Sequence, residues 1–209
     1  MRERFKLVLC DFSEALCEEW KLAFADFPEV EIKHGRFEEV DFDCINSPAN
    51  SFGLMDGGID EAITMHFGQQ MMDRVQEMVI SKYAGEQPVG TSEIVRATPD
   101  DAERIKYVSH TPTMIIPELI SHTNNVYMAM KAMLLAVERH NRVADFNKNE
   151  STRINTLVCS GLGTGAGRVP FKQAAIDMAK AYHSFKHRPS KINWAFATIR
   201  YDYIRGKQV

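Results

Sequence analysis

The chain has 209 residues, 44% apolar and 25% charged, a globular balance that can bury a full core and is expected to form one domain over residues 1–209. With 25 Lys and Arg against 28 Asp and Glu, the formal net charge is −3, which supplies no general attraction for nucleic acid or an anionic membrane. No stretch approaches the ~20 apolar residues of a membrane span. Cys10, Cys17, Cys44 and Cys159 are scattered without a Cys-x-x-Cys pair, and read as buried free thiols of a reducing cytoplasm.

Short β-rich runs alternate with helical patterns. Phe5–Cys10 reads as a strand, and Ser13 caps a helix to about Phe24 with Leu16, Trp20 and Phe24 on one stripe. Val30–Lys33 and Phe42–Asn46 are further strands. Helical material from Gly58 to about Tyr83 is expected to break near Gly68. Ser92–Ala97 and Ile105–His110 read as strands joined by the turn Thr98-Pro99-Asp100-Asp101. Two prolines make Thr111–Pro117 a poor central strand. Asn124–His140 is a clear helix, with Val126, Met130, Met133, Leu134 and Val137 on one face. Polar Asp145–Arg153 reads as an exposed connection, Ile154–Cys159 as a buried strand, Pro170–Tyr182 as a helix and Ile192–Ile199 as a last strand. Strands alternating with helices predict an α/β fold with helices on both faces of one sheet.

Seven of the 12 glycines lie in two loops. Ser160-Gly161-Leu162-Gly163-Thr164-Gly165-Ala166-Gly167 follows a strand and precedes a helix, where closely approaching backbone N–H groups attract anions, phosphates above all. Gly161-x-Gly163-x-x-Ala166 formally fits a dinucleotide fingerprint. The 42 residues after Gly167 leave no room for the second Rossmann half. Gly85-x-x-x-x-Gly90-Thr91 has P-loop spacing without its lysine. The other loop, Asn46 to Asp60, turns on Gly53 and Gly57-Gly58 and opens a helix. Asn50 offers an amide at a strand end, and Asp60 falls in the first helical turn, where the helix dipole favours a carboxylate.

In this order the two loops resemble those of the macrodomain family, whose members bind ADP-ribose. Asn50, Asp56-Gly57-Gly58 and Ile59-Asp60-Glu61-Ala62-Ile63 match the family's first loop, and Ser160 to Gly167 its second. Gly90-Thr91 and His110-Thr111-Pro112 match the stretch between them. The wording Ser47-Pro48-Ala49-Asn50-Ser51-Phe52-Gly53 and Pro112-Thr113-Met114 is closest to a microbial and phage branch, tail-protein-like. The resemblance spans roughly residues 28 to 199 and implies a three-layer α/β/α sandwich around a mixed sheet. It implies that Ser160, Gly161, Leu162, Gly163, Thr164, Gly165 and Ala166 cradle a diphosphate and that Gly57, Gly58 and Ile59 lie along the ligand near its distal ribose. It further implies that Asn50 bonds a hydroxyl of that ribose and that Asp60 helps activate water at the anomeric carbon. The family's acid for the adenine amino group is replaced in Gly35-Arg36-Phe37 by a cation. That leaves Arg36 stacked on a base or solvated, and leaves open a related nucleotide or adenine held by another group such as Asp11.

The seven histidines are dispersed, so no metal site is expected, and neither the resemblance nor the residues call for a cofactor. His66 and His110 read as packed or surface histidines, and most methionines as core. No His and acid support Ser160 as a hydrolase nucleophile. Tyr201 and Tyr203 read equally as base-stacking or surface side chains. The leading expectation is a hydrolase of ADP-ribosyl conjugates, its partner ADP-ribose or an ADP-ribosylated macromolecule, with nucleic acid only as a modified substrate and no membrane. The alternatives are a non-catalytic ADP-ribose-binding module and a phage-like structural protein without the ligand.

Overall fold

The computed structural model describes residues 5–99 and 102–206. Asp100 and Asp101 of the expected turn lie outside them. Six strands form one sheet in the order β2-β1-β6-β3-β5-β4: β1 Lys6–Asp11, β2 Glu31–His34, β3 Cys44–Ser47, β4 Glu93–Arg96, β5 Tyr107–His110 and β6 Thr156–Cys159. All pairings are parallel except β4 with β5, so the sheet is mixed.

The period-2 alternation of strand side chains builds two cores, one on each face. Leu7, Leu9, Cys44, Tyr107, Leu157 and Cys159 point to one face, under α1 (Glu14–Ala23), α4 (Asn125–Phe146) and α5 (Phe171–Lys186). Val8, Cys10, Ile45, Val108 and Val158 point to the other, under α2 (Gly58–Phe67) and α3 (Gln70–Tyr83). This is the expected three-layer α/β/α sandwich. Ser13 caps α1 by accepting from Leu16 N, and the stripe it starts buries Leu16, Cys17 and Trp20. The Trp20 indole N–H donates to Met178 Sδ at 3.4 Å, tying α1 to α5. All four cysteines are free and buried.

Gly68, at φ 91°, separates α2 from α3 where the sequence placed the break. Three expectations need correction. The helix expected to end at Tyr182 runs on to Lys186, since Ser184 and Phe185 are still buried. The helix expected to end at His140 continues to Phe146 because Ala144 still finds a buried seat, so the polar connection starts later and includes a short 3-10 turn, Glu150–Thr152. Ile192–Ile199 is not a strand but lies mostly in a sixth helix, α6 (Trp194–Ile204). The Asn193 side chain caps it by accepting from Phe196 N at 2.9 Å, and the segment rests on α4 and α5 through Arg200 to Tyr127 and Tyr203 on His183, away from any sheet edge. No helix among the described residues is long and apolar enough to cross a membrane.

Candidate functional site

A parallel sheet gathers loops at the carboxyl ends of its strands, and ligand crevices form there. At the ends of β1 and β6 lies a cavity of about 720 Å³, a usual size for a small-molecule site. One wall is the β1–α1 turn, Cys10 to Ser13, with Gly35 to Glu38 beside it. Facing walls are the start of α2, at Gly58, Ile59 and Ala62, and the Gly-rich loop, at Ser160, Gly161, Thr164 and Gly165. Phe171, first residue of α5, completes the rim.

The backbone of the Gly-rich loop is poised for an anion. Gly161 N–H donates to Asp11 Oδ2 at 3.1 Å. The next six amides, Leu162 to Gly167, donate to no protein acceptor among the described residues, although the loop's carbonyls are used: Gly163, Gly165 and Gly167 accept from Val169, Arg168 and Ile120. Several of these residues are buried, and buried amides without an acceptor are rare in folded chains. Across the cavity α2 begins at Gly57 without a side-chain cap, so its first amides are also open and the positive end of its dipole faces the same space. The Ser160 hydroxyl, buried in the cavity wall, has no hydrogen-bond partner among the described residues either. Among the described residues Arg36 is the one cationic side chain in the cavity wall.

The glycines divide into two kinds. A Cβ on Gly161 would come within 2.6 Å of Leu16 and Thr164, one on Gly163 within 3.0–3.1 Å of Ile120, Val126 and Val169, and one on Gly167 within 2.6 Å of the Gly163 carbonyl. Gly167 is held to glycine by backbone, whereas at Gly161 and Gly163 neighbouring side chains would have to shift. At Gly57, Gly58 and Gly165 a Cβ meets nothing within 4 Å, so these three have space around the backbone rather than protein.

Of the residues expected at the site, Gly58, Ile59, Ser160, Gly161, Thr164 and Gly165 line the cavity, whereas Asn50, Gly57, Asp60, Leu162, Gly163 and Ala166 are not among its lining residues. Asn50 shapes its own loop: Oδ1 accepts from Phe52 N and Leu54 N at 3.0 and 3.3 Å, and Nδ2 donates to Leu54 O at 2.9 Å. Asp60 is buried beneath the first turn of α2, where its Oδ1 accepts from Ser47 Oγ at 2.6 Å. Burial pushes its carboxyl up to about 7, Ser47 pulls it down, and the neighbouring Asp56 charge adds to the rise. The buried His110 imidazole is held down to about 4 by desolvation, hence neutral, with Nδ1 on Gln87 Oε1 at 2.7 Å. Burial raises the Cys10 thiol to about 11, so it is no thiolate at neutral pH. Among the described residues no group of His, Cys, Asp and Glu is placed to hold a metal.

Residues 46–178 match the Macro domain family. The chain belongs to that family. A protein of Aquifex aeolicus (strain VF5), described only as uncharacterized, is 30% identical over 159 residues, which is 76% of this chain and 83% of that one. The structure of the Oceanobacillus iheyensis macrodomain with ADP superposes with a TM-score of 0.53 at 16% identity, over 82% of this chain and 87% of that one. The Thermosipho africanus DarTG in complex with ADP-ribose gives 0.52 at 11%, over 94% of this chain but 56% of the other. At such identities the two structures establish the fold. The finer likeness to a tail-protein-like branch is not supported by these matches.

The Macro match contains both Gly-bearing loops but stops short of β1, α1 and β2. That outer segment supplies the wall formed by Cys10 to Ser13 and Gly35 to Glu38. Within it, Asp11 acts as a brace: Oδ1 accepts from Ser13 N at 2.9 Å and Oδ2 from Gly161 N. Phe12 and Phe171 went unnoticed in the sequence. An aromatic directly after a strand that ends in Asp is the one available signal for Phe12, and it is weak without the fold.

Proposed function

We propose that the cavity binds ADP-ribose or a related nucleoside diphosphate-ribose, and that the chain hydrolyses ADP-ribosyl conjugates. The observation that carries the binding is the run of six amides, Leu162 to Gly167, without an acceptor among the described residues, with Thr164 and Gly165 of that run in the cavity wall opposite the uncapped start of α2. Two facing sets of N–H donors with little side-chain charge suit a diphosphate, whose charge is spread over several oxygens. The Ser160 hydroxyl adds a donor, and Gly58 and Gly165 leave room for the phosphates to meet the backbone. The base then lies over β1 and β2, and the distal ribose toward β3, where the loop shaped by Asn50 and the start of α2 meet. The second hydrogen of Asn50 Nδ2 serves a hydroxyl of that ribose.

In the hydrolysis, water attacks the anomeric carbon, the bond from that carbon to the carrier breaks, and the carrier leaves with the bonding electron pair and takes up, by way of solvent, the proton that water gives to Asp60. Asp60 orients the water and accepts its proton through the carboxylate oxygen that Ser47 does not occupy. A carboxyl pushed up to about 7 is a stronger base than an ordinary aspartate. Because β1 and β2 share the sheet and the cavity with the Macro-matched strands, we treat residues 1–209 as one working unit, and its free thiols suit a reducing compartment such as the cytoplasm.

Calorimetry with ADP-ribose tests the binding, and release of ADP-ribose from modified substrates by wild type and Asp60→Ala tests the chemistry. Heat with saturation and release that collapses in the variant is the expected pair of results. Equal release in both removes Asp60 from the mechanism. Binding with no release on any linkage reduces the proposal to a binding module, and no heat removes ADP-ribose as its ligand.

A further inference from the structure

The two ends of the cavity differ in chemistry. Over β6 it offers neutral amides, whereas at β2 it offers an ion pair, Arg36 and Glu38, both in the wall. Arg36 Nη2 donates to Glu38 Oε1 at 2.8 Å and Nε to Oε2 at 3.4 Å. One edge of the guanidinium is thereby fixed, leaving Nη1 and the second hydrogen of Nη2 as a fork of parallel donors. The Arg36 side chain is 70% exposed, within reach of a ligand. Phe12 on the adjoining turn is 83% exposed in the same cavity, and Phe171 lines the rim. An aromatic face left in water beside a fixed guanidinium suits a flat heteroaromatic base, stacked on the ring and read along its edge by the fork.

The edge decides which base. Two parallel N–H donors match two adjacent acceptors, the O6 and N7 of a 6-oxopurine; adenine instead sets an amino group beside N7, whose hydrogens oppose the fork. The acids in the wall are already engaged. Both oxygens of Asp11 accept backbone N–H groups, and both oxygens of Glu38 accept from Arg36. Phe12, Arg36 and Glu38 also lie outside the Macro-matched residues, so membership of the family does not settle the base. We infer that this end of the cavity selects a 6-oxopurine, guanine or hypoxanthine, with Arg36 reading O6 and N7, Phe12 stacking on the ring and Glu38 positioning Arg36. The inference rests on the proposed binding of a nucleoside diphosphate-ribose.

Calorimetric titration of the full chain with GDP-ribose and ADP-ribose tests it. GDP-ribose should bind about tenfold or more tighter, the discrimination of one good bidentate contact. Arg36→Ala should bring the two ligands to within about threefold of each other. Arg36→Gln should turn the preference toward ADP-ribose, since an amide pairs with adenine N6 and N7. Unchanged thermal midpoints show that both variants fold. Equal affinities in the wild type, tighter ADP-ribose, or a preference that survives Arg36→Ala overturns the inference and leaves the diphosphate reading standing. Heat from neither ligand overturns both.

Discussion

Asp60 couples stability and chemistry through one proton. Its carboxyl sits near 7 in the folded chain against an ordinary 3.8. Between those values the unfolded chain has lost a proton that the folded chain keeps. Rising pH therefore favours unfolding: the contribution is full below the ordinary value, declines toward about pH 7 and then levels. Asp60→Asn keeps the shape and the bond from Ser47 but cannot ionise. Urea unfolding should show the variant more stable than wild type at about pH 8, by up to a few kcal/mol, with the gap closing toward about pH 3; parallel pH slopes would assign the effect elsewhere. In the proposed hydrolysis the same ionisation makes the base, so wild-type turnover should climb through about pH 7 as stability falls, and the Asn variant should stay inactive throughout. The glycines give a second contrast. Gly163, at φ 70°, is strained for any side chain and crowded by Ile120, Val126 and Val169, whereas a Cβ on Gly165 meets nothing within 4 Å. Gly165→Val should leave the thermal midpoint nearly unchanged and abolish ADP-ribose binding, while Gly163→Val should lose binding and stability together. Calorimetry beside thermal unfolding separates the two cases.

The helices show where sequence pattern suffices. In α4 the stripe Val126, Met130, Met133, Leu134 and Val137 is buried as its spacing requires, and Gly68 divides α2 from α3 because a residue at φ 91° cannot continue a helix. Those features are local, and so are the two Gly-bearing loops. The segment Ile192–Ile199 failed because β-branched and aromatic residues match a strand by composition, while its structure is decided by the Asn193 cap and by seats on α4 and α5 that no local pattern encodes. The same limit hid half of the site. Phe12 and Glu38 are distant from the Gly-rich loop in sequence, and only the adjacency of β2, β1 and β6 brings them to one cavity. Because α6 buries none of its residues, Asn193→Ala should weaken it by about 1 kcal/mol without moving the global transition. Amide exchange over 194–204 should quicken while the thermal midpoint holds, and a lowered midpoint would mean that α6 is part of the cooperative core.

Across the whole molecule the sheet acts as a rigid base on which two open backbone segments face each other. The strands beneath them are held on both sides, by the core under α1, α4 and α5 and by the core under α2 and α3. The Gly-rich loop is anchored from below by Ile120 and Val169 and from the side by Asp11. Its six unpaired amides are therefore preorganised rather than floppy, and a diphosphate need not order the loop in order to bind. Binding only to the folded chain stabilises it by mass action, about 2.7 kcal/mol at a hundred times Kd. A ligand that bridges the two walls should also leave a local mark. Hydrogen exchange with saturating ADP-ribose should show added protection at Leu162 to Gly167 and at Gly58 to Asp60, beyond any uniform gain in strands and helices. The Asx-bonded loop around Asn50, whose amides at Phe52 and Leu54 already have an acceptor, should change little. Uniform protection with no excess at the two walls would place the ligand elsewhere on the molecule, and protection confined to the Gly-rich loop would remove the start of α2 from the phosphate site.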